Sequence, residues 1–138
     1  MESFNKRSIS LKLADKLVKS AIEKAMELKI NIAITIVDES ANAVLFNRMD
    51  YTPLMAHDIS RRKAITAAGF GIPTGKPWHD FIKDDPILDK AIPLVKDFSL
   101  LGGGAPIIID DSVIGAIGVS GGLYTEDELC VKAALESI

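Results

Sequence analysis

The sequence predicts an α+β fold in which an antiparallel sheet of about five strands carries packed helices. Three observations predict it. A helix-period apolar stripe opens the chain, β-favouring runs follow in pairs joined by short turn segments, and a capping pattern starts a last helix. Paired runs with short connections imply hairpins, and hairpins imply antiparallel neighbours.

The elements follow in order. Ser10 is a helix-capping residue, and Leu13, Leu17, Ala21, Ala25 and Leu28 form one apolar face from Leu11 to near Lys29. Asn31–Val37 is a near-continuous β-favouring run and reads as a strand covered on both faces. Asp38–Asn42 is turn material, and Ala43–Met49 completes a hairpin. From Pro53 to Phe70 the pattern is helical, with Ala64, Ala67 and Ala68 permitting close packing and Gly69 and Gly71 ending it. Residues 71–97 hold four prolines and much charge, and read as a long surface excursion with one short helix near Pro86–Ala91. Asp97–Leu101 is a short strand candidate. Pro106–Ile109 and Ser112–Val119 flank Asp110-Asp111, a two-residue hairpin signal. Thr125, with Glu128 three residues on, matches a capping box for a last helix.

Composition excludes several function classes. The 138 residues suit one domain, expected to span 1–138, with 48% apolar and 25% charged types. Sixteen basic against nineteen acidic residues give a net charge of −3, which argues against nucleic acid as a partner. One cysteine, Cys130, forms no internal disulfide, and with two histidines it builds no structural zinc site. This usage fits a reducing cytoplasm, the expected location. No apolar run reaches the roughly 18 residues of a spanning helix, and the polar start does not read as a secretory signal, so no membrane partner is expected.

Leu11-Lys-Leu-Ala14, Ile36-Val-Asp38, Arg48-Met-Asp50, Lys63-Ala-Ile-Thr-Ala67, Gly102-Gly-Gly-Ala-Pro-Ile107 and Gly115-Ala-Ile-Gly-Val-Ser-Gly-Gly122 stand in an order that resembles the GlcG/HbpS-like family. That family includes the C-terminal domain of PduO-type corrinoid adenosyltransferases. The resemblance runs from about Ser10 to Leu135. It implies a profilin-like fold that self-associates. It also implies a family in which some members bind haem, and whose genes accompany glycolate, diol or corrinoid metabolism.

The candidate ligand-binding residues are Arg48, Asp50, His57, Lys63, Thr66, Gly102, Gly103, Gly104, Ser120, Gly121 and Gly122. Successive glycine amides at 102–104 can cradle a carboxylate or phosphate, or can serve a tight connection or a subunit contact. Ser120-Gly121-Gly122 leads to a helix N-terminus, where an anion is favoured, but Glu126 and Asp127 can fill that place themselves. Arg48 and Lys63, placed near one cleft with Asp50, can hold carboxylates such as haem propionates, or can pair with aspartates. His57 and His79 are the two imidazoles available to a haem iron, and His57, nearer the family motifs, is the better candidate for its axial ligand. Trp78 and Phe81 can lid a flat ligand or pin their own loop. No nucleophile elbow, phosphate loop or paired-histidine motif is present, so no reaction is assigned. The reading is an accessory, homo-oligomeric protein binding a small molecule such as haem, another tetrapyrrole or a corrinoid. The alternatives are an enzyme acting on a small carboxylate or on haem, and a structural oligomerisation module.

Overall fold

The computed structural model describes residues 1–138. Five helices and four strands follow one another: α1 (Leu11–Leu28), β1 (Ala33–Asp38), β2 (Ala43–Arg48), α2 (Ala56–Phe70), α3 (Lys76–Ile82), α4 (Pro86–Ala91), β3 (Gly104–Ile109), β4 (Ser112–Ser120) and α5 (Tyr124–Glu136). A single 3₁₀ turn, Ile92–Leu94, extends α4. The strands form one antiparallel sheet in the order β2-β1-β4-β3.

Strand periodicity sorts the side chains onto two faces. Ile34, Ile36, Ile117 and Val119 point to one face, where α1 and α5 cover them with Leu17, Val18, Ala21, Cys130 and Ala134 in the main core. Thr35, Val37, Ala116 and Gly118 point to the other, under α2. There the contact is close because the facing residues are small. Gly104 and Gly118 lie opposite each other. A Cβ on Gly118 would collide with the Ser60 carbonyl oxygen and come within 2.6 Å of the Ala64 nitrogen, and one on Gly104 would meet the backbone of Lys63. The helix backbone therefore rests almost directly on the sheet, and a Thr35–Ser60 hydroxyl contact of 2.8 Å ties the two layers.

Ser10 caps α1 as expected, its hydroxyl accepting from the Leu13 N–H at 3.1 Å. The hairpin turn at Asp110-Asp111 also forms, both residues holding positive φ (48° and 61°). Three expectations need correction. The sheet has four strands and not five, because Asp97–Leu101 is tied elsewhere. The Ser99 N–H donates to Thr66 Oγ1 at 2.9 Å, and the Leu100 carbonyl accepts from Gly75. Phe98 is buried with Trp78 and Ile82 in a small core of their own. The excursion 71–97 holds two helices, α3 and α4, since that second core gives them an apolar face to bury. The last helix starts at Tyr124 and is capped from Leu123, not from Thr125. Glu126 reaches back to the Leu123 N–H at 2.8 Å, in the role expected of Glu128. No helix is long and apolar enough to cross a membrane.

Candidate functional site

Lys63 lies on α2 and its side chain is 1% exposed. Its ammonium donates to the Val119 carbonyl at 2.7 Å and to Asp127 Oδ2 at 2.9 Å. Burial pulls Lys63 below its ordinary value and lifts the Asp127 carboxyl above its own, while each charge opposes the shift of the other. The other Asp127 oxygen accepts from the Gly122 N–H at 3.0 Å. Lys63 thus takes the ion-pair role left open by the sequence, with two of its three ammonium protons held by Val119 and Asp127.

The corner at 120–123 is consequently plugged from within. Asp127 holds the Gly122 amide and Glu126 the Leu123 amide, so these two donors just ahead of α5 are occupied, while the N–H groups of Tyr124 and Thr125 find no acceptor within the chain. Ser120 is buried, and Gly121 packs against the Asn31–Ile32 backbone. The corner at 102–104 differs. Gly104 donates to Thr74 Oγ1 at 2.9 Å, but the N–H groups of Gly102 and Gly103 make no hydrogen bond within the chain. Both residues are buried.

A cleft of about 480 Å³ opens beside Gly102, lined by Gly75, Lys76, His79, Leu100, Leu101, Tyr124 and Glu128. It meets at Glu128 a second groove of about 370 Å³ that runs past Gly103, Gly104 and Ala105 along the outer side of α5. The cleft exists because α3 follows Gly75 and puts Lys76 and His79 one turn apart on one side. Tyr124 and Glu128, four residues apart on α5, face them from the other side. Leu100 and Leu101 supply apolar wall. Chemically this is a half-apolar slot with a cation, an imidazole, a phenol, a carboxylate and the unpaired amide of Gly102, the Gly103 amide belonging to the adjoining groove.

The structure separates the residues grouped by the sequence. Lys63, Gly103, Gly104 and Gly122 are brought together around Asp127. Thr66, one turn further along α2, accepts from Ser99 and donates to the Asp97 carbonyl at 3.3 Å, and so holds the wall of the cleft rather than a ligand. Arg48 and Asp50 stand apart at the free end of β2, exposed and outside every ion pair of the chain. His57 is exposed at the start of α2 with its ring edge-on to Phe46 at 4.6 Å. His79 lines the cleft. Trp78 pins its own loop, buried and edge-on to Phe70, Phe81 and Phe98 at 4.9 to 5.8 Å. Cys130 is a core residue whose thiol is pushed up to about 12 by burial, with the Asp127 charge adding to it. Lys76 and Tyr124 escaped the sequence reading, which had Glu128 only as a capping partner. Their i,i+3 and i,i+4 spacings carry meaning only once α3 and the true start of α5 are known.

A four-stranded antiparallel sheet between two helical layers, with a ligand-sized cleft at one end, defines the class. Residues 9–136 match the family described as haem degrading protein HbpS-like, and the chain belongs to that family. It is 31% identical over 129 residues to an uncharacterized 15.0 kDa protein of the dhaT-dhaS intergenic region of Citrobacter freundii, covering 94% of this chain and 91% of that one. The Klebsiella pneumoniae protein ORFY shares the fold at a TM-score of 0.91 and 29% identity, over 99% of this chain and 94% of that chain. A structure titled PduOC:Heme complex shares it at a TM-score of 0.81 and 23% identity, over 95% of both.

Proposed function

We propose that this protein is an accessory small-molecule binder whose ligand is a tetrapyrrole of the haem class, taken up in the cleft beside Gly102. The observation that carries the reading is the placement of His79 in a slot walled by Leu100, Leu101 and Tyr124. An exposed imidazole next to apolar surface suits a flat, metal-bearing macrocycle. The cleft volume of about 480 Å³ falls in the ordinary range for small-molecule sites. The haem-related description of the family and the haem in the PduOC complex support the same ligand class.

The residues present fit such a group. His79 would hold the iron, Leu100, Leu101 and Tyr124 would flank the macrocycle, and Lys76 would meet a propionate. Haem, when bound, supplies iron-centred ligand and electron chemistry. The chain's own part is to orient the macrocycle and to keep water from one face of it. Self-association belongs to the same reading. Tyr51, Leu54 and Met55 are 94%, 85% and 66% exposed in one loop, which is more apolar surface than a lone chain gains from showing.

Titration with haemin tests the binding claim. The expected result is a saturable Soret shift at micromolar protein, with quenching of Trp78, the only tryptophan and the residue next to His79. His79→Ala should abolish the shift and His57→Ala should leave it. A Soret band that never saturates would defeat the reading. A band that saturates and then decays under reductant would turn it towards haem degradation.

A further inference from the structure

We infer that the cleft contains a carboxylate-binding subsite at the Gly102 and Gly103 amides, and that Glu128 is its built-in competitor, displaced when a ligand carboxylate arrives. The inference rests on the reading that this cleft is the ligand site, and not on the ligand being a tetrapyrrole.

Two buried amides without an acceptor are the first observation. An N–H of a buried residue with no partner in the chain is rare. Consecutive amides of this kind form an anion-seeking concavity. Gly102 lines the cleft and Gly103 the adjoining groove. Lys76 and His79 stand on the facing helix, and the Lys63 ammonium lies beneath Gly103, 2.9 Å from where a Cβ would stand.

The second observation is Glu128. Its carboxylate lies directly over Gly102, with Oε1 the nearest atom to that face and Cδ 2.7 Å from the position of a Cβ. The same oxygen comes within 3.8 Å of the corresponding position at Gly75. Despite this it has no hydrogen bond and no ion pair, and its charge acts on Lys63. A carboxylate resting against the Cα face of Gly102, bonded to neither amide, leaves both donors free and sets a negative charge beside any anion that would take them. Its neighbours on α5 show the contrast. Asp127 and Glu126 each hold an amide, whereas Glu128 holds none. Only a glycine at 102 leaves room for it, and the same room admits an outside carboxylate once the side chain swings toward solvent.

The probe is sodium propionate, read by amide ¹H–¹⁵N shifts of the full chain. Gly102 and Gly103 should shift together and saturably. In Glu128→Gln and Glu128→Ala the apparent Kd should fall about fivefold or more, because a like charge a few ångströms away is removed. Unmoved glycine amides, or shifts scattered over surface lysines, would overturn the subsite. Unchanged or weaker binding in both variants would overturn the competitor. Propionate binding without haemin binding would retain the subsite and remove the tetrapyrrole. Haemin bound through His79 with unmoved glycine amides would do the reverse.

Discussion

At the scale of single residues, the Lys63–Asp127 pair is the one ion pair with both side chains taken out of water. Two charges taken out of water are stable only while each satisfies the other. Here the pair also supplies the acceptor for Gly122 and the donor for Val119. Lys63→Met leaves Asp127 buried and unpaired, and Asp127→Leu leaves Lys63 so. Each single substitution is expected to lower unfolding free energy by about 3–5 kcal/mol. The double variant should recover most of the loss, since apolar replacements of both charges remove the uncompensated one. Urea unfolding of the four proteins closes the cycle. Additive losses would show that the two side chains do not stabilise each other.

Elements pack here by the absence of side chains. α2 sits on β3 and β4 through Gly104 and Gly118, so the helix approaches to backbone contact. Gly118→Ala would drive a methyl into the Ser60 carbonyl and should cost about 1–3 kcal/mol through overpacking. Gly69, on the same helix, meets nothing within 4 Å. There Gly69→Ala should stabilise by about 0.5–1 kcal/mol, because alanine restricts the unfolded chain and suits a helix interior. Thermal melts of the two variants should therefore move in opposite directions. A common direction would mean that α2 is free to lift from the sheet.

For the whole molecule, the sheet is covered on both faces, yet apolar side chains remain outside. Besides Tyr51, Leu54 and Met55, the excursion shows Ile87 and Leu94, 81% and 85% exposed. A second copy is the simplest cover, and a closed dimer the commonest assembly. Light scattering at micromolar concentration is expected to give a multiple of the 14.9 kDa chain mass. Leu54→Asp with Met55→Asp should reduce that multiple. A single-chain mass for the unaltered protein would remove the proposal.

The helices and hairpins were legible in the sequence because each depends on local signals. Ser10 caps within three residues, Asp110-Asp111 turns within two, and the apolar stripe of α1 repeats on its own period. The family was legible for a related reason, since its glycine motifs are short and keep their order. The chemistry of the site was not. Whether Lys63 held a ligand or a partner depended on Asp127, sixty-four positions away in the chain. Which glycine corner stayed open depended on Glu126 and Asp127 reaching backwards, and on Glu128 failing to. His79 rather than His57 came to line the cleft because Phe98 left the sheet to build a second core with Trp78. Local preference settles secondary structure, but competition among distant groups for a limited set of buried donors and acceptors is resolved only when the chain has closed around them.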